Sequence, residues 1–166
     1  MLFHNAYQKL IASDSFKQWK HKNSHAFLAH GFFLDDELNH HQWQIGYYDK
    51  HTDKITTFFV TENEVSAAEQ SEIFKKPDAV IDSLELDLVK ISSDDAYSFA
   101  KAYAGKKYPH DPIQKVFMIL QHLEKKTVYN ITLLTQTLKT INLRIDAATK
   151  AVLFEKSTSL MEFRAE

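Results

Sequence analysis

The sequence predicts an α+β protein built from two related units, each a helix packed on an antiparallel sheet. Three observations carry that expectation. Between Thr127 and Lys156, Tyr129, Ile131 and Leu133 alternate with Asn130, Thr132 and Leu134, and Ile141, Leu143 and Ile145 alternate with Asn142, Arg144 and Asp146. This is the period of two that a half-buried antiparallel sheet imposes. Helical patterns precede the strand patterns in both halves of the chain. Finally, Asp49, Thr52 and Ile55 stand at the same mutual offsets as Asp146, Thr149 and Val152, so D-x-x-T-x-x-[I/V] occurs twice at strand turns.

In the first unit, residues 1–62, Phe3, Tyr7, Leu10 and Ile11 fall on one helical face, and Ser13 with Asp14 offers a break and a new cap. A bent helical segment is therefore expected over residues 4–20. Residues 25–34, 42–48 and 54–61 read as strands, with Asp35, Asp36 and Glu37 in one loop and residues 49–53 in a turn. The adjacent Tyr47 and Tyr48 leave open which face of the sheet each joins.

Residues 63–82, rich in glutamate and containing Pro77, read as a connecting segment, with a short helix near Ala67 to Phe74. In the second unit, residues 83–166, Leu84, Leu86 and Leu88 alternate as a strand. Ser92 or Ser93 caps a helix whose acidic first turn suits the macrodipole. Ala96, Phe99, Ala100 and Tyr103 form its apolar stripe, and Gly105 ends it. Residues 113–122 fit either a helix or a buried strand; the strand is preferred because it makes the second half repeat the first.

Composition narrows the chemistry. The 166 residues include no cysteine, which removes disulfides, thiolate metal sites and thiol nucleophiles. Three glycines are too few for glycine-rich phosphate loops, and a net charge of −2 argues against nucleic acid as a partner. No window has the length and apolarity of a membrane span and no leader pattern opens the chain, so a soluble cytoplasmic protein is expected. The nine histidines contain no H-E-x-x-H spacing, and neither a metal nor another cofactor is expected.

The segment IDAATKAVLF resembles the closing hairpin of PepSY and PepSY-like domains, in which a hydrophobic residue precedes Asp-x-x-Thr-Gly-x-Val/Ile. Ile145, Asp146, Thr149 and Val152 match that pattern, and Lys150 stands where the family has glycine. The resemblance extends best over residues 93–157, with a fainter echo over 4–61. It implies tandem helix-plus-sheet units in a cystatin-like layout. It also implies a non-catalytic binding or regulatory module, of a kind that in some relatives restrains peptidases or binds protein partners. A protein or peptide partner is expected accordingly.

Candidate binding residues are Trp43 and Tyr48, from the aromatic cluster of the first unit, and a polar strip of Asn130, Thr132, Gln136, Asn142 and Arg144 in the second. No catalytic residues are assigned. The competing reading is a small pocket enzyme, or a small-ligand binder, on a curved cystatin-like sheet. Its candidates, Asp49, Asp146 and Tyr129, serve equally as turn and core residues.

Overall fold

Ser13 decides how the chain begins. The computed structural model describes residues 1–35, 42–67, 70–72 and 80–161. Helix α1 (Phe3–Ala12) stops at Ser13, whose extended backbone breaks the hydrogen-bond ladder and whose hydroxyl accepts from Phe16 N. Helix α2 (Asp14–Lys22) then starts in a new direction, as the Ser-Asp pair predicts.

Strands β1 (Phe27–Asp35), β2 (Trp43–Asp49) and β3 (Lys54–Val60) follow as an antiparallel meander, and β4 (Val65–Ala67) and β5 (Ser71–Glu72) pair onto β3. The expected connecting segment thus contributes strands to the sheet. Ala67, Ser71 and Glu72 lie in those strands and Gln70 lies in no helix; Ala68, Glu69, Ile73 and Phe74, like Asp36, Glu37 and Pro77, lie outside the described residues. The expected strand through Leu84, Leu86 and Leu88 is also corrected. Leu84 is buried, its N–H bonding Leu28 O of β1, while Leu86–Leu88 form one 3-10 turn in which Leu86 packs on the core and Leu88 is exposed.

Helix α3 (Ser93–Lys107) is capped by Ser92, which accepts from Asp95 N at 3.1 Å. Ser93 is buried in its first turn, its hydroxyl accepting from Phe3 N at 3.1 Å. The helix passes through Gly105 to Lys107, so that glycine does not end it. The stripe facing the core is Ser93, Ala96, Ala100 and Ala104, with Phe99 and Tyr103 half-buried at its flank. Small side chains let the helix axis approach the sheet closely.

Strands β6 (Ile113–Leu123), β7 (Lys126–Thr135), β8 (Lys139–Asp146) and β9 (Val152–Ser159) complete a sheet of nine antiparallel strands among the described residues. The order β4-β3-β2-β1-β6-β7-β8-β9 joins the two meanders where β1 pairs with β6. Residues 113–122 are a strand, as preferred.

The three α-helices among the described residues all contribute to a core on one face of the sheet. Trp43, Ile45, Tyr47, Phe58, Met118, Leu120, Tyr129, Ile131, Leu133, Ile141, Leu143 and Ile145 point into it from the sheet. Gly31 is required here, because a Cβ at that position would lie 2.2 Å from Phe3 Cε2.

The two D-x-x-T turns share a backbone feature but not a place in the topology. The residue after each threonine is left-handed, Asp53 at φ 53° and Lys150 at φ 66°. Asp49 Oδ1 accepts from His51 N, and Asp146 Oδ1 accepts from Ala148 N and Thr149 N. The first turn, however, joins the second and third strands after its helices, and the other joins the third and fourth after α3.

Candidate functional site

Alternation along each strand leaves a second sheet face, and among the described residues no helix packs on it. Strand register orders this face into rows. One runs Phe59, Gln44, Phe32, Ile119, Asn130, Arg144, Phe154 from β3 to β9; beside it runs Leu34, Phe117, Thr132, Asn142, Lys156. The seam between β1 and β6 is therefore apolar, with Phe32, Leu34, Phe117 and Ile119 all half-buried. Hydroxyl and amide side chains lie beside it on β7 and β8. Asn142 Nδ2 donates to Asn130 Oδ1 at 3.1 Å and Thr132 Oγ1 at 2.8 Å, which fixes the orientation of this polar strip.

Arg144 ends the strip. Its Nη1 donates to Glu124 Oε2 at 3.1 Å, and its guanidinium lies 4.9 Å from the Phe154 ring centre. Its Nε is buried with no partner among the described residues.

On the other side of the seam, His30 rests over Gly46. A Cβ on Gly46 would lie 2.4 Å from His30 Cε1 and 2.8 Å from Ile55 Cδ1, so glycine makes the room for the ring. Burial pushes the imidazole below its ordinary pKa of 6.5. His30, Phe32, Gln44, Ile119 and Gln121 line a shallow groove of about 340 Å³.

The strongest polar cluster ties α3 to β9. Glu155 accepts from Lys107 Nζ at 2.6 Å, Tyr108 OH at 2.5 Å and Tyr103 OH at 2.8 Å. These donors pull its pKa down to about 2, and the same carboxylate pushes the Tyr103 and Tyr108 hydroxyls up. Asp111 is likewise lowered by hydrogen bonds from Thr137 (2.6 Å) and Lys139 (3.0 Å). Burial pushes Asp146 up, but the Ala148 N–H and Lys126 outweigh it and leave the carboxyl below its usual range. The tyrosine hydroxyls are thus held protonated, and the three carboxyl groups are held ionised by the donors around them.

A cavity of about 320 Å³ lies beside α3, lined by Phe33, Asp35, Trp43, Tyr97 and Met118 among others, with Tyr97 OH donating to Asp35 Oδ2. Burial, then this bond, push the Tyr97 hydroxyl up. Among the described residues no group of three metal-ligating side chains converges.

Of the residues singled out from the sequence, Asn130, Thr132, Asn142 and Arg144 meet on the helix-free face. Gln136 is exposed in the turn between β7 and β8, away from them. Trp43 is 1% exposed in the core, its Nε1 bonding Met1 O at 2.9 Å, so it is no surface anchor. Tyr48 does face the helix-free side but is buried against Phe27, with its hydroxyl on Asp53 Oδ1 at 2.6 Å. Of the alternative candidates, Tyr129 is a core residue whose hydroxyl bonds Ile91 O, and Asp49 and Asp146 hold turns. Of the seam residues, Phe32 belongs to the aromatic cluster of the first unit, whereas Leu34, Phe117 and Ile119 escaped the sequence reading as site residues. Their grouping depends on β1 pairing with β6, a contact across some 85 positions of chain.

No family model matches the chain, and no curated protein matches it. Among solved structures it is similar to the crystal structure of a "putative lipoprotein" from Clostridium difficile 630, with a TM-score of 0.56 and 13% identity. The alignment covers 87% of this chain and 91% of that one. At that identity the likeness establishes the α+β fold alone. No helix among the described residues is long and apolar enough to cross a membrane.

Proposed function

We propose that this chain is a non-catalytic binding or regulatory module of PepSY-like type, and that its helix-free sheet face receives a protein or peptide partner. The observation that carries this reading is the half-buried apolar seam of Phe32, Leu34, Phe117 and Ile119 bordered by the ordered amides of Asn130 and Asn142. An apolar strip with fixed polar neighbours offers both burial and register to a bound segment. The two helix-plus-sheet units joined edge to edge at β1 and β6 support the tandem layout that the D-x-x-T hairpin implies. The cystatin-like comparison rests on helices packed across one face of an antiparallel sheet.

The test is to identify the partner from native cells and measure its affinity for the wild type and for Phe117→Glu and Ile119→Glu. Both side chains are half-buried on the face, so the variants should still fold, with a modestly lower melting temperature, and lose most binding. Full retention of binding would remove the seam from the interface. Turnover of a small substrate by the purified chain, abolished by a substitution at Asp35 or Tyr97, would instead establish the pocket reading, for which the cavity beside α3 is the place. Fractionation of native cells separates the cytoplasmic placement expected from the sequence from the surface placement suggested by the neighbour's name.

A further inference from the structure

The two ends of the sheet are finished differently. At one end β4 and β5 span three and two residues, which leaves little free ladder among the described residues. At the other end β9 runs for eight residues and pairs only with β8 among the described residues. The large apolar side chains left exposed among the described residues concentrate there: Leu153 (45%), Phe154 (38%), Leu160 (38%) and Met161 (61%) on or just after β9, and Leu138 (48%), whose carbonyl accepts from Leu160 N. Elsewhere only Val80 and Leu88 are comparable. The strand is also held firmly, since Glu155 is tied to Tyr103, Lys107 and Tyr108 of the α3 end.

We propose that β9 is the pairing edge for a second copy of this chain, giving a two-fold dimer with one continuous sheet. Antiparallel partners share a face, so a two-fold axis normal to the sheet must pass between one residue and its own counterpart. Arg144 faces Phe154 and Ile145 faces Val152, so Leu153 is a bulge and the regular edge begins at Phe154. An axis at Glu155 or Lys156 sets like charges directly opposite. An axis at Ser157 does not. It places Lys156 opposite Thr158 and Glu155 opposite Ser159, and brings each Phe154 against Leu160 of the other copy, covering the exposed apolar pair. The helix-free faces of both copies then lie on the same side.

Sedimentation velocity on the full chain across low to high micromolar concentrations tests this. A dimer is expected for the wild type. Ser157 is exposed, so Ser157→Glu and Ser157→Lys should fold normally, and circular dichroism melts check that they do. Each alone should self-associate about tenfold or more weakly, because the introduced charge faces its own copy. An equimolar mixture of the two should restore the dimer. The proposal is overturned by a wild type that stays monomeric throughout, by a dimer indifferent to both substitutions, or by a mixture that remains monomeric while both variants are folded.

Discussion

Lys150 holds a backbone conformation, φ 66°, that costs a residue with a Cβ about 1–2 kcal/mol relative to a right-handed one. Its ammonium lies 5.5 Å from the Phe99 ring centre, a contact that offsets part of that cost. Lys150→Gly is therefore expected to stabilise the protein by about 0.5–1 kcal/mol in urea unfolding, whereas Lys150→Ala, which loses the contact and keeps the strain, should destabilise it. Two side chains set opposite parts of the pH profile. Glu155 has its folded pKa depressed from 4.5 to about 2, so the stability it contributes is present above pH 4.5 and is lost as pH falls toward 2. Glu155→Gln should lower stability at neutral pH and flatten that acid limb. His30 is held below 6.5, so the unfolded chain binds its proton first and stability declines as pH falls below 6.5. In His30→Gln that decline should shrink, as read by melting temperature between pH 7 and pH 5.

Among the elements, α3 is the helix the sequence predicts, but it turns Ser93 and alanines to the core with Phe99 and Tyr103 at the flank, and its energetics follow the alanine stripe. Ser92→Ala should cost about 1 kcal/mol by uncapping the helix. Replacing Ser93 as well strands the Phe3 N–H in a buried place and adds about another 1–3 kcal/mol. Ala100 is fully buried against the sheet, so Ala100→Leu should cost about 1–3 kcal/mol by overpacking. Phe99 is only half-buried, and Phe99→Ala is expected to cost less than the ~3 kcal/mol lower bound typical of a fully buried phenylalanine. Chemical denaturation of the four variants orders these effects; a Phe99 change larger than the Ala100 change would mean that the stripe is misassigned.

At the scale of the molecule, the sheet works as a single layer between a packed core and an open face, and the core is its most sensitive part. Leu143 is fully buried with Ile131 directly opposite it on β7. Leu143→Asp should therefore cost more than about 4 kcal/mol, enough to leave the chain unfolded or insoluble at 37 °C. Gly31→Ala meets the Phe3 ring and should loosen α1 from β1 and β2, with a lower melting temperature and faster amide exchange over residues 3–12.

The α+β class, the strand positions from β6 to β9, the inward set Tyr129, Ile131, Leu133, Ile141, Leu143 and Ile145, and the break at Ser13 were all legible in the linear sequence. They depend on local period and capping chemistry, which act over a few residues. The polar strip of Asn130, Thr132, Asn142 and Arg144 was legible for the same reason: it is the other phase of the same alternation. Tertiary structure alone decided that Trp43 and Tyr48 are buried, that Leu84 plugs a core end and that α3 presents alanines inward. It alone assembled Phe32, Leu34, Phe117 and Ile119 into one seam. Each of these depends on which distant strand or segment covers a residue, and the pairing of β1 with β6 that assembles the seam has no signature in any local window.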